Sequence, residues 1–165
     1  MSQPAVVVIF SSRCGATETI AHAAAVGVVN ARALPRLRRL ADDGGQVAPE
    51  CADTLRRMHK EYVPPTEKDI AAAPGLVVVP TAGMTPASAT WQPVFDTLDG
   101  LASAGTLAGK VAAVIDTGDD QTVSSFSSAL VERGFALISA DGSDARAHGR
   151  AVGVAIVRAA AAPGR

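Results

Sequence analysis

Ser12-Arg13-Cys14-Gly15-Ala16-Thr17 sets two hydroxyl side chains around one glycine, where an apolar run gives way to an alanine-rich stretch. Residue types of this kind can hold an anion. The first N–H groups of a helix have no partner within it, and the helix dipole adds partial positive charge at the same end. Ser12 and Thr17 add hydroxyl donors. The anion this reading favours is the phosphate of a mononucleotide, above all a flavin. Ordinary N-capping by Ser or Thr is the alternative for any such turn. Spacing alone leaves both open, because the glycine fingerprint of dinucleotide folds and the lysine of a P-loop are both missing.

Two further small-residue loops follow apolar runs. Thr81-Ala82-Gly83-Met84 comes after 76–79, and Asp116-Thr117-Gly118 comes after 111–115. In open α/β sheets, ligands sit beyond the carboxyl ends of strands where the strand order reverses. Three such loops on one rim carry more weight than any one of them.

The elements that must position these loops follow from hydrophobic pattern. Runs 6–10, 76–79 and 111–115 are continuously apolar, as expected for strands buried on both faces of a parallel sheet. Residues 28–34, ended by Pro35, give an edge strand, and 135–138 a fifth strand. Helices are expected over 16–26, 51–62, 66–70, 88–98 and 121–132, with a last helix from about Ser143-Asp144 through Val157. Gly149 and Gly153, four apart, allow close approach to a neighbouring surface, and Trp91 reads as packing. Gly44-Gly45 marks a loop and 159–165 a frayed tail. The expected fold is a three-layer, doubly wound α/β sandwich with a five-stranded parallel sheet of order 2-1-3-4-5. One domain spans 1–165, with a variable excursion over 36–65.

A formal net charge of −1 over 165 residues gives no global pull toward nucleic acid or an anionic membrane. Arg36 to Arg39, followed by Asp42-Asp43, reads as a solvated face, as do Arg56, Arg57, His59 and Lys60. His22 and His59 carry no assigned chemistry, and no metal-ligand cluster or dedicated general acid or base is visible. Cys14 and Cys51 have neither metal-site spacing nor disulfide density, which suits a reducing cytoplasm. Cys14 falls where a helix N-terminus would favour a thiolate. The chain shows no membrane span.

The sequence resembles the flavodoxin-like flavoproteins, nearest to the Trp repressor-binding proteins, many of which are NAD(P)H:quinone oxidoreductases. Ser12 to Thr17, continued by Glu18-Thr19-Ile20-Ala21, matches their phosphate loop. Pro80 to Met84 stands at the second flavin loop, and Asp116-Thr117-Gly118 at the start of the third. The resemblance implies that the first loop takes the phosphate of FMN and the other two flank its ring. It further implies NAD(P)H as electron donor, a quinone or a redox protein as partner, and a homo-oligomer as a candidate state. Asp119 and Asp120, acidic and near the expected ring, would lower the flavin's reduction potential. Two function classes follow: an FMN-dependent oxidoreductase or electron carrier, and a family member without flavin that serves as a binding or interaction module.

Overall fold

The computed structural model describes residues 2–41, 45–140 and 144–162. Five strands, β1 (Ala5–Phe10), β2 (Leu34–Arg39), β3 (Gly75–Val79), β4 (Val111–Val114) and β5 (Ala136–Leu137), pair in parallel in the order β2-β1-β3-β4-β5. That is the order expected from the sequence. The continuous apolar runs are central because both of their faces are covered. Val7, Ile9, Leu76, Val78, Ala112 and Val114 face one core, and Val6, Val8, Phe10, Val77, Val79 and Ala113 face the other.

Among the described residues six α-helices complete the layers: α1 (Ala16–Asn30), α2 (Ala52–Glu61), α3 (Glu67–Ala72), α4 (Gln92–Ser103), α5 (Asp120–Glu132) and α6 (Ala145–Ala161). Ile70 of α3, Phe95 and Leu98 of α4 and Phe126 and Leu130 of α5 pack with buried Trp91 on the first core. Ala24 and Val28 of α1 and Val152 and Ile156 of α6 pack on the second. A Cβ on Gly27 would run into the Arg146 carbonyl, and one on Gly149 into the Ala24 carbonyl. The two helices therefore touch backbone to backbone, as Gly149 and Gly153 had suggested. α3 opens with a capping box: Asp69 N–H donates to Thr66 Oγ1 at 3.2 Å and Thr66 N–H donates to Asp69 Oδ2 at 3.0 Å.

Four expectations about boundaries need correction. Residues 28–30 are not strand but the last turn of α1, because Gly27 and Val28 are needed against α6 and the sheet. The helix ends at Asn30, and Arg32 in the turn that follows, with a φ of 64°, lets Ala33 N–H reach back to the Val28 carbonyl at 3.2 Å. The edge strand lies later, over the Pro- and Arg-bearing segment Leu34–Arg39, where an edge position tolerates the missing proline donor. α4 starts at Gln92 rather than 88 and runs on to Ser103. α6 holds through Ala161, so 159–161 are helical, not frayed, while β5 shrinks to two paired residues. Asp42-Asp43, Gly44, Ser143, Pro163, Gly164 and Arg165, also part of those expectations, lie outside the described residues.

Candidate functional site

Beyond the carboxyl ends of β1, β2 and β3 lies a cavity of about 480 Å³, within the range of small-molecule sites. Its walls are Ser11, Ser12, Arg13, Cys14, Ala16 and Thr17 of the first loop, Leu40 and Ala41 after β2, and Thr81, Met84 and Thr90 after β3. A second cavity of about 270 Å³ shares Leu40, Ala41 and Thr90 and extends toward Pro64, Pro65, Ile70 and Val94.

The first loop is shaped for its helix. Gly15 is the N-cap of α1 at φ 92°, a left-handed conformation that a side chain would strain. Ser12 Oγ accepts from Gly15 N–H at 3.0 Å, and no side chain caps α1. The next N–H groups, of Ala16 and Thr17, therefore open on the cavity end of the helix without a side-chain acceptor. Two flanking peptides are fixed by their carbonyls. Thr81 Oγ1 donates to the Ser11 carbonyl at 3.2 Å, and Arg39 Nε and Nη2 donate to the Ser12 carbonyl at 3.0 and 2.7 Å. Because a trans peptide directs its N–H opposite its carbonyl, the Arg39 contacts also set the direction of Arg13 N–H.

Arg39 corrects the reading of 36–39 as a solvated face. It is 4% exposed, at the end of β2 beneath the loop. Arg38 is tied as well, through Nε to Asp69 Oδ2 at 3.0 Å and Nη2 to Asp69 Oδ1 at 3.0 Å. That fork holds the Asp69 carboxyl down at about 2.

The excursion also differs from expectation. Cys14 and Cys51 are joined by a disulfide with their Cα atoms 4.9 Å apart, 37 positions apart in sequence. The expectation of unpaired cysteines rested on their low density, which says nothing about two segments that fold together. The pairing also removes the cysteine argument for a reducing compartment. Arg57 is not merely solvated: Nη1 and Nη2 donate to Glu18 Oε1 and Oε2 at 2.9 and 2.7 Å. Tyr62, edge-on to Phe10, donates its hydroxyl proton to Glu18 Oε1 at 2.8 Å. His22 Nε2, 2.6 Å from that hydroxyl, is therefore the donor to it. The Arg57 hydrogen bonds, aided by Tyr62, hold the Glu18 carboxyl below its usual range against the opposing effect of burial. Burial, then the bond to Glu18, pushes the Tyr62 hydroxyl well above the ordinary phenol range. A carboxylate in the first turn of α1 is thus neutralised next to the loop.

Of the residues expected to bind, Ser12, Arg13, Cys14, Ala16, Thr17, Thr81 and Met84 line the cavity. Ala82 and Gly83 do not, although they belong to the same loop. Gly83 N–H is held by Asp119 Oδ2 at 3.1 Å and Thr122 Oγ1 at 2.9 Å, which fastens the second loop to the start of α5. Asp116, Thr117 and Gly118 stand outside the cavity lining. Asp116 Oδ1 closes a turn on Gly118 N–H at 2.7 Å, and Thr117 Oγ1 donates to the Pro80 carbonyl at 2.7 Å. Asp119, with Thr122 as its first hydrogen-bond donor, has its carboxyl lowered and caps α5. Sequence reasoning missed Ser11, Leu40, Ala41, Thr90 and Arg39. The only signal for Leu40 and Ala41 was their place just past a strand end, and that strand had been set too early.

Among the described residues no cluster of metal-ligating side chains occurs and no helix is long and apolar enough to cross a membrane. Neither a family model nor a curated protein matches the chain. Solved structures do. The two-electron reduced flavodoxin of Megasphaera elsdenii is similar at 15% identity and TM-score 0.61, over 90% of this chain and 98% of that one. A short-chain flavodoxin associated with a non-canonical PDU bacterial microcompartment is similar at 16% identity and TM-score 0.63, over 96% and 100%. A WrbA-like flavodoxin from Agrobacterium tumefaciens is similar at 16% identity and TM-score 0.57, over 96% and 98%. At these identities the likeness is one of fold, and the fold is flavodoxin-like.

Proposed function

We propose that this flavodoxin-fold chain binds FMN, with the first loop as its phosphate seat. The observation that carries the reading is the uncapped start of α1 at left-handed Gly15, opening on a cavity whose near wall includes the Thr17 side chain. Buried Arg39 adds a cation beneath the same loop, and Glu18, a carboxylate in the first turn of α1, is already matched by Arg57. A dianion seated there meets donors and positive potential on this side. Leu40, Ala41 and Met84 offer an apolar wall for the attached ring.

When bound, the flavin supplies hydride or electron transfer. The chain's own residues seat the phosphate, shield one side of the ring and set the local charge. We assign the protein to the oxidoreductases or electron carriers on this basis. NAD(P)H is the donor to test first, and a quinone or redox protein the acceptor. A cytoplasmic location and a homo-oligomeric state are further parts of the proposal.

A second reading, a flavin-free binding module, draws support from one observation. Asp116 and Gly118 close their own turn, Thr117 is bonded to the Pro80 carbonyl, and none of the three lines the cavity, so the ring lacks one of the two walls expected for it. Adding FMN to the purified protein separates the two. Quenching of flavin fluorescence with one-to-one stoichiometry supports the flavoprotein; unquenched FMN at high protein concentration supports the module.

A further inference from the structure

We infer that the Cys14–Cys51 bond is a thiol–disulfide exchange site that sets how tightly the first loop grips phosphate; this rests on the FMN reading above. The bond joins a residue lining the cavity to the residue directly before α2. Its two ends differ in access. Cys14 is exposed at the mouth of the cavity, whereas Cys51 is 6% exposed. An external thiolate therefore reaches the Cys14 sulfur, and Cys51 is the leaving group.

The exchange balances with a dithiol as reductant. The thiolate of the dithiol attacks Cys14 Sγ, the Sγ–Sγ bond breaks, and Cys51 leaves as a thiolate and takes up a proton. The second thiol of the reductant then attacks the mixed disulfide and releases Cys14. Two electrons and two protons pass to the protein, and the dithiol leaves as its own disulfide.

Both consequences of cleavage act in one direction. The intact bond ties the loop to α2, which Arg57 and Tyr62 already fasten to Glu18 of α1. Its loss frees a loop that must be ordered to bind, which weakens affinity. It also leaves Cys14 as a thiol just ahead of a helix N-terminus, where the thiolate is favoured. That negative charge would sit in the wall of a phosphate seat. Reduction thus loosens FMN, and oxidation tightens it.

The test is FMN titration of the full chain by fluorescence quenching, with the protein oxidised and then reduced by a dithiol that is removed under argon. Thiol counts accompany each state. The expected result is no titratable thiol before reduction and two after, with FMN dissociation constant raised about tenfold on reduction. Cys51→Ala, which leaves the loop sequence intact, should bind like the reduced protein and ignore the dithiol. Equal affinity in the two verified states, or two thiols in the oxidised sample, overturns the switch and leaves the flavin reading standing. Failure to bind FMN in either state overturns both.

Discussion

The Arg57 guanidinium forks onto the Glu18 carboxylate, with Nη2 to Oε2 at 2.7 Å and Nη1 to Oε1 at 2.9 Å, 39 positions apart in sequence. Glu18 lies in the first turn of α1, immediately after the loop that lines the cavity, and is 6% exposed. Its burial is tolerable because charge and hydrogen bonds are returned to it by Arg57 and Tyr62. The fork, with Cys14–Cys51, makes α2 a brace for the loop rather than a free excursion.

Arg57→Met leaves Glu18 buried with Tyr62 as its remaining strong partner, so the melting temperature at neutral pH should fall. The sign of the pH dependence follows from the lowered carboxyl. A group whose folded pKa is depressed stabilises above its unfolded value, 4.5 here, and loses that contribution as pH falls through the folded value. Wild type and variant should therefore converge in melting temperature on acidification below that value. A gap that stays constant down to the acid transition would show that the fork does not hold the carboxylate.

Asp69→Asn removes the negative charge and replaces one of the two carboxylate oxygens that serve the α3 capping box and Arg38 by an amide donor. The carboxyl is held at about 2, against 3.8 ordinarily, first by the Arg38 hydrogen bonds. Stability worth about 1–2 kcal/mol above the unfolded value should be missing from the variant at pH 7. That difference should close as pH drops from 3.8 toward 2. Urea denaturation at several pH values measures it.

Gly149→Ala places a methyl group against the Ala24 carbonyl of α1. Two helix backbones must separate to make room, at a cost of about 3 kcal/mol. Thermal or urea unfolding gives the figure, and Gly100→Ala, with open space around its Cβ position, serves as the control. Gly100 lies inside α4, where alanine is the better helix former, so the control should be neutral or slightly stabilising.

Thr17→Ala should weaken FMN binding about tenfold with little change in stability, since it removes one hydroxyl donor from the proposed phosphate seat. Arg39→Met should do more than a structural change would. Losing the two donors on the Ser12 carbonyl loosens the loop, and losing the buried cation removes potential felt by a dianion but not by a neutral ligand. The ratio of FMN to riboflavin affinity should fall in Arg39→Met. An unchanged ratio would reduce Arg39 to a packing role.

Most of the sheet was legible because 6–10, 76–79 and 111–115 are apolar without alternation, a pattern that central parallel strands impose on sequence. β2 was not. Leu34-Pro35-Arg36-Leu37-Arg38-Arg39 carries the composition of a solvated segment, and only tertiary structure reveals that Asp69 and the Ser12 carbonyl receive two of its guanidinium groups. Val28-Val29-Asn30 has strand-forming residues, yet helix packing on α6 overrides that local preference. The first loop was legible as strand, small-residue turn and helix start. Its brace was not, because the pairing of Cys14 with Cys51 and of Glu18 with Arg57 spans a segment without periodic signal. The third loop stands outside the cavity lining, with Asp116 closing its own turn and Thr117 bonded to the Pro80 carbonyl, contacts that composition does not announce.

The central claim is that the start of α1 receives a phosphate dianion. Isothermal titration of the full chain with FMN and with riboflavin, which shares the ring but lacks the phosphate, tests it most directly. The account predicts that FMN binds at least a hundredfold more tightly than riboflavin, about 3 kcal/mol of phosphate recognition, and that inorganic phosphate competes with it. Equal affinity for the two flavins, or FMN binding indifferent to phosphate, would contradict it.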